Sequence, residues 1–413
     1  MNKMKGEIQM KFKEITLNSG QGNAARMITK WWNKEKEYKQ VFVLSGVAGS
    51  GKSTCASYIV NMLGLKYGDV LYITYTGKAS LVLMQKGNNS QTIHSAIYHT
   101  ILVDDIDEHG NIIKIHGRNK KKYEFTKRPY IDGVIKLIIV DEWSMVDDKL
   151  GKDIVSFGIP ILCLGDENQL DPVFGKPYFQ KEYGIDFRLT EPMRQAQGSP
   201  VIHLATKVLR GEDIPFGKYG NSLVIPPHLL NDNMLMGADM IISGTNKTRR
   251  EINNHIRNNL LGIRSQEIIV GDKVICLQNN RNVSTNIMGQ EIYLVNGMVG
   301  YVDEIHKRTL SKDGKTVNID FRPEFSDYDK FMNISFDREY FKQPYDGRSF
   351  SNKFDLGHCL TAHKAQGSEW DNVVVIEDGF GGSKLARKKW LYSAITRTKY
   401  GIILVRKTER TYG

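Results

Sequence analysis

The sequence predicts an α/β protein built from two doubly wound parallel-sheet domains, each with a small β insertion. Short apolar runs recur between helix-like stretches: Val41–Leu44, Val70–Tyr75, Val134–Val140, Ile159–Leu164, Met240–Ile242, Val373–Ile376 and Ile402–Val405. Buried parallel strands read as such runs because helices cover both faces of their sheet. Residues with chemistry follow these runs directly, at Gly46, Thr76, Asp141 and Gly165, at the carboxyl ends where open α/β sheets hold ligands. Two stretches break the rhythm, at residues 98–131 and 276–354. Alternating segments in the first predict a β-hairpin insertion. Aromatics, turns and Asp313-Gly314 between the alternating segments His306–Leu310 and Thr316–Phe321 predict a small β-barrel in the second. The expected division is a first domain over 1–195 containing 98–131, and a second over 196–275 and 355–413 interrupted by 276–354.

Composition narrows the class. At 413 residues the chain exceeds one ordinary core. Its 40% hydrophobic and 25% charged residues are those of a globular protein. No apolar stretch approaches the roughly 18 residues that span a bilayer. Met1–Phe12 carries lysines but no apolar run resembling a signal peptide. A membrane protein is therefore not expected, and a cytoplasmic one is. Cys55, Cys163, Cys276 and Cys359 lie far apart, the pattern of reduced, packed thiols and not of a disulfide framework or zinc site. The net charge of +11, from 57 basic and 46 acidic residues, is compatible with a polyanionic partner without requiring one. The densest basic run, Arg118 to Lys122, reads first as a solvated hairpin.

The strongest signal is Gly46-Val47-Ala48-Gly49-Ser50-Gly51-Lys52-Ser53-Thr54, set between the strand-like Val41–Leu44 and a helical stretch, Cys55 to Leu63. Strand, glycine loop and helix start together make a phosphate cradle. The glycines turn backbone N–H groups onto an anion, and the helix N-terminus adds partial positive charge. Lys52 is placed to reach the β- and γ-phosphates and the Ser53 hydroxyl to ligate Mg2+, so the chain is expected to bind a nucleoside triphosphate. Asp141-Glu142 closes the strand ending at Val140. A carboxylate there suits magnesium, and its neighbour suits the orientation or deprotonation of an attacking water. Gly165 to Val173 forms a third strand-end element, in which Gln169 is placed to sense a γ-phosphate or lytic water. Arg194 and Arg397 are candidate cations for the transferring phosphoryl group, a role worth on the order of 10³–10⁵ in rate.

The order and spacing of these segments resemble the superfamily 1 helicases, in particular the RecD-like branch, which includes enzymes of T4-type phages. The resemblance covers nearly the whole chain. Gln21 is similar to the adenine-reading glutamine ahead of motif I, and Gly46–Thr54 is motif I. Thr74–Ala79 resembles motif Ia, and Thr92-Ile93-His94-Ser95 a DNA-contact element. Asp141-Glu142-Trp143-Ser144-Met145 resembles motif II, Gly165–Val173 motif III, Thr361–Glu369 motif V and Tyr392–Arg397 motif VI. Gly271–Val274 and Asn296-Gly297 resemble segments flanking an SH3-like insertion. Three residues depart from the family pattern: Trp143 replaces a smaller apolar residue, Asp171 a proline, and Met193 an aromatic.

The resemblance implies two RecA-like domains that clamp ATP. The first supplies Lys52, Ser53, Asp141, Glu142 and Gln169, the second Arg397 and the motif V residues Gly367 and Glu369, with Arg194 near the junction. It places the nucleotide on Gln21, Gly46, Ala48, Gly49, Ser50, Gly51, Lys52, Ser53 and Thr54. Thr76, Thr92, His94, Thr361 and His363 become candidates for a single-stranded DNA track, and Tyr123 and Phe125 for a wedge that meets the duplex. Phe325, Tyr328, Phe331, Phe336, Tyr340 and Phe341 read as the core of the second insertion. The implied activity is ATP-dependent 5′→3′ translocation with duplex separation, the polarity coming from the resemblance alone. The implied partners are single-stranded and forked DNA, with single-strand-binding or replication proteins as further candidates, and a monomer is expected. A viral origin would place it in a bacterial cytoplasm. A DNA-stimulated ATPase that strips bound proteins without unwinding stays open. A small-molecule phosphotransferase is disfavoured by the second set of strand-end motifs, which it does not need.

Overall fold

The structure is a computed structural model that describes residues 17–104, 111–112, 114–115, 118–119, 121–131, 133–172, 175–193, 198–287, 290–344 and 351–409. The predicted apolar runs supply the inner strands of two six-stranded sheets, except that the run expected from Val134 becomes strand only at Leu137, Val134 being 77% exposed. In the first, all neighbours are parallel, in the order Phe187–Leu189, Val41–Gly46, Ile161–Gly165, Leu137–Asp141, Val70–Thr74, Ser90–Thr92. Its register pairs Ser45 with Gly165, Leu164 with Asp141, and Asp141 with Thr74. The ends of four strands therefore stop along one edge, and the loops with chemistry start side by side. Val41–Gly46 is buried along its whole length, as a central strand covered on both faces must be.

The second sheet runs Gly217–Tyr219, Ser222–Ile225, Thr398–Val405, Trp370–Ile376, Met240–Ser243, Cys359–Thr361, parallel except at its first pair. Helix Lys384–Ile395 packs on it through a C-terminal half that is buried from Trp390 to Ile395. Ser90–Thr92, Phe187–Leu189, Ser222–Ile225 and Cys359–Thr361 were not among the predicted strands. Three or four residues are too few to show a period.

A five-stranded antiparallel sheet, ordered Phe331–Asp337, Thr316–Pro323, Val299–His306, Lys273–Cys276, Phe354–Leu356, accompanies a ribbon of Asn280–Ile287 with Gln290–Leu294. The Asp313-Gly314 turn is present, with Gly314 at φ +72°. The segment expected as its first strand, His306–Leu310, is instead largely a 3-10 turn (Lys307–Thr309), and the strand lies upstream at Val299–His306. Phe331 and Phe336 are fully buried in this sheet's core, with Phe325 and Phe341 packed on it. Tyr328 is 91% exposed and does not belong to that core. Within 98–131, Tyr98–Asp104 pairs antiparallel with Lys121–Lys127 over seven residue pairs.

Candidate active site

The glycine loop leaves strand Val41–Gly46 and ends at helix Lys52–Met62. Gly49 and Gly51 hold φ +73° and +77°, left-handed values that cost other residues energy. A Cβ on Gly51 would lie 2.4 Å from Gln21 Nε2 and 2.7 Å from Met193 Sδ. Both side chains thus roof the loop, and Met193 N also donates to Gly49 O at 2.9 Å. Gln21 sits in the first turn of helix Ser19–Lys34, in a capping box with Asn18. Its Nε2 donates to Ser50 O at 3.0 Å. Lys52 Nζ folds over the loop and donates to Gly46 O at 2.6 Å. Ser50 Oγ is buried with no partner among the described residues, Ser53 is exposed at the helix start and Thr54 half-buried. Ala48 N donates to Tyr392 Oη of the second sheet's domain, at 2.8 Å.

The acidic side comes from strand Leu137–Asp141. Burial, then the Glu142 charge, pushes the Asp141 carboxyl up to about 6, against the opposing pull of Lys52. Glu142 holds φ +57°, a left-handed conformation that stores strain in a non-glycine residue, and its buried Oε2 has no partner among the described residues. Two carboxylates and a serine hydroxyl are hard oxygen donors, a set that fits a magnesium ion. Trp143 explains its own departure from the family. It is fully buried and donates Nε1 to Leu44 O at 3.2 Å. A Cβ on Gly165 would lie 2.7 Å from its ring, so Gly165 supplies the room the larger side chain takes.

The third strand-end loop joins the two lobes. Gln169 is buried, and its N–H closes a turn on Asp166 O. Asp166 is fully buried; its Oδ1 accepts from Asn168 N and Nδ2, and its Oδ2 from Tyr392 Oη at 2.5 Å. Leu170 N donates to Ser393 Oγ at 2.9 Å, and Lys389 Nζ pairs with Asp171 at 2.6 Å. Asp171, another departure, thus forms an ion pair across the seam. Lys389, Tyr392 and Ser393 stand at i, i+3 and i+4, one face of helix Lys384–Ile395. The sequence placed Tyr392 and Ser393 inside a motif without assigning them contacts; this helical spacing was the available signal.

Arg397 is 4% exposed and bonded by Ser393 O, Ser368 O and Thr396 Oγ1 at 3.1, 3.5 and 3.2 Å. Among the described residues no carboxylate pairs with it. Arg194 lies outside the described residues. Glu369 is exposed. Gly367, at φ +73°, lies against Thr76 and Ala79, because a Cβ there would meet Thr76 Oγ1 at 2.7 Å. That puts Gly367 beside the groove described next.

Thr76 and His363 line one groove of about 270 Å³ with Tyr75, Met145, Asp171 and Lys364. Burial holds His363 below the usual imidazole range, so it is neutral at pH 7. Thr92 lines an adjoining cavity of about 530 Å³ with Ser95, Arg128 and Tyr293. Gly77 borders both cavities. His94 and Thr361 line neither cavity: His94 packs its ring 5.7 Å from Tyr98, and Thr361 is buried at the start of helix Ala362–Ala365. Tyr123 and Phe125 sit opposite Leu102 and Thr100 in the antiparallel ribbon, and their side chains lie outside the described residues.

Two family models match the chain: "AAA domain" over residues 16–222, just over half of it, and "UvrD-like helicase C-terminal domain" over 356–405. The chain belongs to the superfamily 1 helicases. It is 26% identical to the ATP-dependent RecD2 DNA helicase of Deinococcus radiodurans over 387 residues, which cover 87% of this chain and 46% of that protein. The chain thus spans about half the length of that relative. It is 23% identical to the ATP-dependent DNA helicase dda of Enterobacteria phage T4, over 96% of this chain and all of that one. Bacteroides Pif1 bound to ssDNA shares the fold at a TM-score of 0.54 and 16% identity, over 97% of this chain and 94% of that one. Pif1 helicase from Candida albicans gives 0.53 and 17%, over 96% of each. The superfamily 1 fold accounts for the paired sheets and for the seam between them. Among the described residues no helix is long and apolar enough to cross a membrane.

Proposed function

We propose that the chain is an ATP-dependent DNA helicase that translocates 5′→3′ on single-stranded DNA and separates duplex. One observation carries this reading: the phosphate loop and the Gly165–Val173 loop both bond helix Lys384–Ile395, which ends two residues before Arg397, beside a groove with Thr76 on one lobe and His363 on the other. A ligand that closes the seam must also change the groove, the coupling a motor needs.

In this reading ATP lies on the loop N–H groups, and Lys52 leaves its carbonyls for the phosphates. Ser53 and Asp141 would hold Mg2+, whose charge offsets that of the phosphates. Glu142, strained and with a buried oxygen that has no partner among the described residues, orients or deprotonates the attacking water, and Gln169 reports it. Arg397 supplies cationic charge to the transition state, with Arg194 as a second candidate. Gln21 reads the base. Grip on DNA is mainly through phosphates and falls with salt, the aromatics adding sequence-tolerant stacking. The domain divisions at 195, 275 and 355, the wedge at 98–131 and a monomeric working form belong to the same proposal.

ATP hydrolysis measured with and without single-stranded DNA, followed by strand displacement on duplexes with a 5′ or a 3′ tail, tests it. Stimulated hydrolysis and unwinding from the 5′ tail are expected. Hydrolysis indifferent to DNA refutes the motor, and unwinding only from a 3′ tail refutes the polarity. Displacement of bound protein with forks left intact converts it to a remodelling ATPase.

A further inference from the structure

The phenol of Tyr392 occupies a position the hydrolytic reading leaves unused. Its oxygen accepts from Ala48 N, inside the phosphate loop, at 2.8 Å, and its proton goes to the fully buried Asp166 Oδ2 at 2.5 Å. The chain Ala48 N–H, Tyr392 O–H, Asp166 carboxylate joins the loop of the first lobe to a helix of the second and back to the first lobe's third strand-end loop. Among the described residues, three other hydrogen bonds or ion pairs join these elements: Leu170 N to Ser393 Oγ, Gln366 Nε2 to Leu170 O, and Lys389 to Asp171. All three go to residues 170–171, so among these bonds only Tyr392 touches the loop itself.

We infer that Tyr392 is a positioning residue whose phenol oxygen competes with a bound triphosphate for a phosphate-loop N–H. This rests on the reading of Gly46–Thr54 as the triphosphate site. The Ala48 N–H has one hydrogen to donate, so the phenol oxygen and a phosphate oxygen seated on this loop would compete for it. Burial first, then the Asp166 charge, keeps the phenol protonated, so its hydrogen goes to Asp166 while a lone pair accepts from Ala48. Nucleotide entry therefore breaks one bond between the lobes at the loop while the other three can persist. The exchange makes the seam sensitive to whether the loop is filled, a difference in contacts between two states of the kind that allows a ligand to shift them.

The test uses the full chain and titrates a fluorescent, non-hydrolysable ATP analogue against wild type, Tyr392→Phe and Asp166→Asn, with Lys52→Ala as the control for the site. Tyr392→Phe keeps the buried ring and removes only the competing oxygen. It is expected to bind the analogue about three- to tenfold more tightly, the scale of one net hydrogen bond. Asp166→Asn weakens the phenol's acceptor, and a smaller change in the same direction is expected. Matching circular dichroism and melting profiles verify folding, and Asp166→Asn provides the second reading if Tyr392→Phe fails that check. Unchanged or weaker binding by a folded Tyr392→Phe overturns the inference, the latter making the phenol a nucleotide ligand. Failure of wild type to bind the analogue, or binding indifferent to Lys52→Ala, would instead overturn the assignment of the site.

Discussion

Lys78 Nζ lies 2.8 Å from Glu324 Oε1, and the pair joins segments 246 residues apart. Lys78 comes from helix Gly77–Gln85 of the first lobe, and Glu324 follows strand Thr316–Pro323 of the antiparallel sheet. The same carboxylate oxygen accepts from Trp370 Nε1 of the second lobe at 2.9 Å, and Lys78 Nζ stands 4.4 Å over the Trp370 ring. Lys273 Nζ approaches the other oxygen at 3.9 Å. One largely buried carboxylate thus ties both lobes to the insertion.

Glu324→Gln retains an acceptor for Trp370 but leaves Lys78 buried without its anion and Lys273 with only the Asp239 charge. Stability is expected to fall by about 3 kcal/mol, the scale of breaking a buried ion pair. Urea denaturation measures it, and an unmoved midpoint would show that the node is energetically neutral.

Lys52→Ala removes the cation that folds over the loop. Hydrolysis is expected to drop by on the order of 10²-fold or more, with single-stranded DNA affinity retained, because Lys52 is not among the groove-lining residues. Steady-state turnover and fluorescence anisotropy on the same preparation separate the two effects. Turnover near wild type would remove Lys52 from the mechanism.

Arg397→Ala is expected to lower kcat by on the order of 10³–10⁵ with KM nearly unchanged, since a charge that acts on the transition state leaves substrate binding alone. A raised KM at normal kcat would make it a binding residue.

Burial first, then the positive charge of Lys273, lowers His358 from its usual value to about 4. Between pH 4 and 6.5 the unfolded chain binds the proton that the folded one refuses, so stability rises with pH through that window and is lost as pH falls through it. About 2 kcal/mol should vanish between pH 7.5 and pH 5, and His358→Gln should remove most of that dependence. Denaturation midpoints at the two pH values decide it; equal losses in wild type and variant would assign the acid sensitivity elsewhere.

The phosphate loop, Asp141-Glu142 and the seven apolar runs were legible in the chain because each is local: a glycine pattern, an acidic pair, an unbroken apolar stretch. Local order also sufficed to group Tyr392 with Arg397. The contacts of Tyr392 were not legible, since both partners, Ala48 and Asp166, lie more than 200 residues away. The Lys78–Glu324–Trp370 node was hidden for the same reason. The short strands were missed because three residues carry no period, and Tyr328 because an aromatic's burial depends on which side of a turn it faces.

By itself the sequence determined the family, the α/β class and the residue types around the phosphates, since backbone periodicity and loop chemistry are written within a few residues of one another. Tertiary structure alone decided which groups meet across the seam: the phenol on Ala48, Lys389 on Asp171, and Gly367 against Thr76. Those pairings depend on strand register and on the packing of two lobes, which residues distant in the chain set only once it has folded.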